Sequence, residues 1–233
     1  MSHFSKIGNC AILVFAKSAV CENESKRILD SSSNNMLLWS TLNNNVLKIT
    51  QKSKIPFFVV NESAQTGLTF GQKISNAINN IFNEGYEKVI VIGNDCPELK
   101  TRHLHLVQDH LQKNDYVFGP DYSGGDYILG ISKNKFNKLD WENFDWQTRN
   151  LHKNLISFFA NETVFLLPFL NDINSSFSFK KAIYQLPYNS YLKNILLCLS
   201  YKLHYVFCFI EHKFSTSLLI ILNYRGPPSL IRT

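Results

Sequence analysis

Residues 88–100 read KVIVIGNDCPELK. Val89 to Ile92 form a short, β-branched apolar run, Gly93 ends it, and Asn94-Asp95-Cys96-Pro97 follows as a turn. A run this short, flanked by helical patterns, predicts a strand buried on both faces of a parallel sheet. In open α/β sheets ligands sit just beyond the carboxyl ends of the strands, which is where Asp95 stands. A carboxylate there can hold a divalent metal and, through it, a diphosphate; its alternative role is to shape the turn.

The flanking pattern agrees. On the amino-terminal side, 10–16 (CAILVFA) predicts a strand, 17–30 a polar loop, 35–52 a helix and 56–60 (PFFVV) a second strand. Phe70, Ile74, Ala77, Ile78, Ile81 and Phe82 lie on one face of a helix that Gly85 ends. On the other side, Thr101 is a candidate N-cap for a helix with Leu104, Val107 and Leu111 inward. Strands at 115–120 and 126–132 follow, joined through Ser123-Gly124-Gly125. Then come a helix over 146–161, an extended segment at 163–168 and a helix over 176–186. Alternating strands and helices imply an α/β fold with a mostly parallel sheet flanked by helices.

The chain has 233 residues, enough for one substantial domain with an appendage. Of 24 Lys and Arg, seven lie in 179–233, and of 18 Asp and Glu only Glu211 does, so the tail carries the whole net charge of +6. The rest is neutral, and nucleic acid is not indicated as a partner. Five cysteines, odd in number and never spaced CxxC, suggest neither a disulfide framework nor zinc; a reducing, cytoplasmic compartment fits. The apolar run near the N-terminus reads as a strand and not a signal peptide. Residues 188–233 read as an apolar, basic extension. Within it, 192–222 is expected to dock on a membrane surface or another protein, the alternative being that it folds back over the sheet. His103, His105 and His110 read as a solvated helix face, Cys96 as a small buried residue, and Trp146 as core or a stacking platform.

Five stretches in order resemble one family. GNDCPEL at 93–99, QTGLTFGQK at 65–73, GPDYSGGDYILGIS at 119–132, Trp146-Gln147-Thr148, and LPFLNDINS at 167–175 resemble the motifs of the DUF2064 proteins. These are glycosyltransferase-like members of the nucleotide-diphospho-sugar transferase (GT-A) superfamily. The resemblance covers about residues 10–185 and implies a GT-A-like, Rossmann-like domain over 1–187. It implies Mg²⁺ or Mn²⁺ near Asp95. Asp172 is a candidate to complete the metal site, its alternative being a helix N-cap. Asp126 joins Asp95 as a candidate catalytic carboxylate, as a second ligand or an acceptor for a sugar hydroxyl, its alternative being a surface residue at a strand start. The resemblance also implies a nucleotide held by Lys17, Arg27, Gly71, Lys73, Gly124 and Gly125.

The chain departs from the family pattern after the first strand, where Glu22 replaces a glycine and Glu24 adds charge. Such a loop serves a triphosphate poorly. Ser123 stands for an Asp, Asp126 for an aromatic, and Asn174 for the second acid of D-x-D. The expected function is glycosyl transfer from a nucleotide-diphospho-sugar. The alternatives are nucleotidyl transfer onto a phosphorylated small molecule, or a domain that only binds a nucleotide or a partner.

Overall fold

The computed structural model describes residues 9–200. Six strands form one sheet in the order β2-β1-β3-β5-β4-β6. They are β1 (Cys10–Phe15), β2 (Phe57–Val60), β3 (Lys88–Ile92), β4 (Tyr116–Pro120), β5 (Asp126–Ser132) and β6 (Val164–Leu166). β1 pairs in parallel with β2 and β3, and β4 with β6, while β5 is antiparallel to both β3 and β4. The fold is therefore α/β with a mostly parallel sheet, as the run at 88–92 predicts.

Alternation along the central strands splits the core in two, because successive side chains leave a strand on opposite faces. Ala11, Leu13, Phe15, Val89, Val91, Leu129 and Ile131 pack on one side, against α3 (Phe70–Asn83) and α6 (Leu151–Phe158). Cys10, Ile12, Val14, Ile90, Ile92 and Ile128 pack on the other, against α4 (Thr101–His110) and Val46 of α2 (Ser32–Ser53). Each fully buried Val, Leu or Ile contributes about 1.5–3 kcal/mol. α3 begins where its capping box dictates: Thr69 Oγ1 accepts the Gln72 N–H, and Gln72 Oε1 accepts that of Thr69.

Several local expectations change. The polar segment 17–30 contains a helix, α1 (Ala19–Ser25), because Ser18 caps it by accepting the Cys21 N–H at 3.3 Å. α4 starts one residue early, with Lys100 at the cap position, and the Thr101 hydroxyl bonds the Ile49 carbonyl at 3.0 Å instead of capping. His103 serves that cap: its Nδ1 accepts the Lys100 N–H at 3.2 Å, and burial, then Arg102 and Lys100, push its pKa down to about 4. The helix expected over 146–161 is shorter, α6, preceded by α5 (Lys138–Glu142) and by Gln147 at φ 61, a left-handed backbone that a helix cannot contain.

The start of the tail folds back. α8 (Tyr191–Ser200) buries Leu196 and Leu199 in a third cluster with Leu38, Trp39, Leu42 and Phe179, which includes side chains of α2 and α7 (Ser176–Gln185). The segment from Leu192 to Leu199 is thus part of the packed domain, which extends past the boundary expected at 187. The rest of 192–222 lies outside the described residues. Among the described residues, no helix is long and apolar enough to cross a membrane.

Candidate active site

Reversing β5 brings its first residue to the same sheet edge as the last residues of β1, β3, β4 and β6. Lys17, Asp95, Asp121, Asp126 and Asp172 therefore share one edge although 155 positions separate the first from the last. The Ile173 N–H bonds the Asp95 carbonyl at 2.8 Å and the Leu170 N–H bonds the Pro120 carbonyl at 3.2 Å, so the segment after β6 is tied to the ends of β3 and β4.

Asp172 is buried, and its Oδ1 has no partner among the described residues. Burial, then the nearby Asp95 and Asp121 charges, push its pKa well above the usual carboxylate range; the Cys96 thiol hydrogen bond and Lys26 act the other way. Asp95 is 27% exposed and accepts from Lys26 Nζ at 2.9 Å. Burial pushes the Lys26 amine down, but Asp95, then Glu22 and Asp172, more than offset it, and its pKa ends raised.

The backbone of Lys26 is fixed. Its carbonyl accepts from Trp39 Nε1 and Asn35 Nδ2, each at 3.1 Å, and its N–H donates to the Glu22 carbonyl at 2.7 Å. Asn35, fully buried, uses its whole bonding capacity here. Its Oδ1 also accepts the N–H groups of Ile28 (2.9 Å) and Leu29 (3.1 Å), and its amide reaches Asn23 at 3.0 Å.

A second pair stands at the start of β5. The Asp126 side chain is fully buried and bonds His152 Nδ1 at 2.9 Å, while its Oδ2 is unpartnered. Burial raises the Asp126 pKa to about 6 against the pull of His152. The His152 imidazole is held above its ordinary value first by its hydrogen bond to Asp126, with burial opposing. The pair fixes the ring so that Nδ1 faces Asp126 and Nε2 stays available.

Of the residues expected at the site, Asp95, Asp126, Asp172 and Lys17 meet at this edge. The Lys17 amine bonds Ser25 Oγ at 3.2 Å, whereas Arg27 is exposed and donates to the Asp30 carbonyl. Gly124, at φ +93, leaves room that the Arg149 carbonyl fills, and a Cβ on Gly125 would come within 2.9 Å of the Asp121 carboxylate. These glycines build the turn that wraps Asp121, whose Oδ1 accepts the Gly125 N–H at 2.9 Å. Gly71 is needed where α3 presses on the Glu142 carbonyl, and Lys73 lines a recess of about 140 Å³ with Phe58, Val60 and Glu84; neither bonds the edge acids. A nucleotide needs roughly 300 Å³ or more. Trp146 belongs to the aromatic core, 5.6 Å from Phe70 and 6.0 Å from Trp141 between ring centroids.

Sequence reasoning missed His152, Asp121 and the part played by Lys26. A lone His in a helical stretch carries no signal of an acid 26 positions away.

No three His, Cys, Asp or Glu side chains are grouped as a metal cage among the described residues. Mg²⁺ typically needs no such cage, taking one or two carboxylates and completing its shell with substrate phosphate and water. Asp95 and Asp172, with an unpartnered buried oxygen, fit that demand.

The fold is shared with a solved structure from Desulfovibrio desulfuricans G20, provisionally described as a nucleotide-diphospho-sugar transferase, which matches with TM-score 0.70 at 19% identity, over 82% of this chain and 94% of that one. Residues 40–147 match the model of the family described as "Uncharacterized protein conserved in bacteria (DUF2064)". The 2-phospho-L-lactate guanylyltransferase of Methanocaldococcus infernus is 22% identical over 52% of this chain; the match spans 57%, a little over half, of that protein's length. A Mycobacterium tuberculosis H37Rv protein solved with manganese superposes at TM-score 0.46 and 9% identity, over 76% of this chain and 99% of that one.

Proposed function

We propose that the acid-lined edge binds a nucleotide-diphospho-sugar and transfers its glycosyl group to a hydroxyl acceptor. The supporting observation is the convergence of Asp95 and Asp172, one of them with an unpartnered buried oxygen, beside the Asp126–His152 pair. Asp95 and Asp172 would hold Mg²⁺ or Mn²⁺, which when bound would neutralise charge on the diphosphate. As the bond from sugar to β-phosphate oxygen breaks, its electron pair leaves with the nucleoside diphosphate. His152 Nε2 takes the proton of the attacking hydroxyl, and Asp126 stabilises the imidazolium through Nδ1. Lys17 supplies positive charge from the end of β1.

Nucleotidyl transfer is the second reading, favoured by the match to a guanylyltransferase. Against it stands the first loop. The Ser18 N–H and hydroxyl at the start of α1 both bond the Glu62 carboxylate, the amide at 2.7 Å. Where a triphosphate would need backbone donors, the chain already holds its own anion. Calorimetric titration with UDP- and GDP-sugars in Mn²⁺ tests the first reading, and binding of neither refutes it. Product analysis with nucleoside triphosphate and a sugar phosphate decides between the two: release of pyrophosphate establishes nucleotidyl transfer.

A further inference from the structure

We propose that Lys26 is a binding residue for the donor's diphosphate and, until that diphosphate arrives, a lock on Asp95, so that metal and nucleotide bind as a coupled pair. The inference rests on the nucleotide site proposed above. In the free protein Asp95, which would hold the metal, is engaged through Oδ2 by the Lys26 ammonium at 2.9 Å. Everything else about Lys26 is anchored: the carbonyl by Trp39 and Asn35, the N–H by Glu22. Only its four-carbon stem is left to turn. The ammonium lies 5.2 Å from the Trp39 ring centroid and both partners are 27% exposed, so an incoming anion can reach it.

A metal alone must compete with an ammonium for Asp95. A diphosphate gives that ammonium another partner and frees the oxygen. The other basic side chains of the loop are engaged elsewhere, Lys17 with Ser25 and Arg27 with the Asp30 carbonyl. Neither blocks a candidate metal ligand. When the competent state is only a fraction of the population, apparent affinity falls by that fraction. A lock closed for about nine-tenths of the time thus weakens metal binding about tenfold. Linkage makes the effect mutual: nucleotide strengthens metal by the factor with which metal strengthens nucleotide.

The test uses the full chain and the variants Lys26→Met and Lys26→Gln, the second keeping a polar end in case the first folds poorly. Calorimetry measures Mn²⁺ alone, UDP or GDP alone, and each with the other saturating. Both variants should bind Mn²⁺ alone about tenfold more tightly than the parent, and bind UDP or GDP in Mn²⁺ about tenfold more weakly. Variants that bind Mn²⁺ alone no better than the parent, while the parent binds nucleotide, overturn this inference and leave the nucleotide site standing. A parent that binds neither nucleotide with or without Mn²⁺ overturns the site and the inference together.

Discussion

Replacing Asp126 by Asn should stabilise the protein above neutrality, although it removes the carboxylate of the pair with His152. Asp126 has a fully buried side chain, one oxygen on His152 and one with no partner. Its carboxyl is pushed from 3.8 to about 6, with burial the leading cause. At about 1.4 kcal/mol per pH unit, ionising it in the fold costs at most roughly 3 kcal/mol more than in the unfolded chain. The sign follows from a folded pKa that is raised. The unfolded chain gives up this proton first, so the Asp126 contribution is fully present below about pH 4 and is lost as pH rises through about 6.

Asn copies the neutral acid and escapes that loss. His152 sheds its proton when its partner is gone, so no buried charge is stranded. Against this, the new amide hydrogens inherit the place of an unpartnered oxygen, which trims the gain. The expected net effect is about 1–2 kcal/mol of added stability at pH 8, shrinking toward zero near pH 4. Urea unfolding at both pH values measures it, and the His152 ring resonances should titrate at lower pH in the variant. A variant less stable than the parent by 1 kcal/mol or more at pH 8 would refute the reasoning.

Other expectations are simpler to test. Asp95→Asn should keep the fold and cost at least about tenfold in Mn²⁺-dependent nucleotide binding, because the amide keeps the shape but not the charge a hard cation needs; unchanged calorimetric affinity would remove Asp95 from the ligand set. Gly124→Ala should cost at least about 1 kcal/mol in thermal unfolding, since φ +93 and the Arg149 carbonyl both exclude a Cβ. Leu196→Ala should destabilise by about 2–5 kcal/mol if α8 belongs to the core, and a chain ending at Pro187 should unfold outright. A Leu196→Ala variant that melts with the parent would place α8 outside the cooperative unit.

The parts of this fold that could be read from residue order are those governed by local periodicity. The strand at 88–92 and the helix at 70–83 carry their burial pattern in their own spacing, and the five motifs carry a resemblance to the family whose model matches residues 40–147. The position of Asp95 and Asp126 at the sheet edge was legible because a strand end is a place that sequence can mark. His152 and Lys26 were not, because their partners lie 26 and 69 positions away and meet only when β5 reverses and α1 folds against α2. The loop at 17–30 misled for a different reason. Its helix depends on the Ser18 cap, with Glu62 of a distant segment bonding the same residue, and a charged stretch gives no apolar rhythm to reveal that. At the start of the tail the alternative of folding back is the one realised, since Leu196 and Leu199 find their cover on α2 and α7.

Asn35 has a consequence for how this protein opens locally. All four of its side-chain bonds go to residues 23–29, and Trp39, one turn further on, adds a fifth to the same loop. Both sit on a helix of 22 residues that has its own cap and hydrophobic face. The loop takes these five anchors from that helix, so the segment carrying Lys26 is expected to open locally before the helix does. In hydrogen exchange, the amides of Ile28 and Leu29 should open together as one unit, and a lesion at Asn35 should loosen the loop while the sheet behind it stays shut.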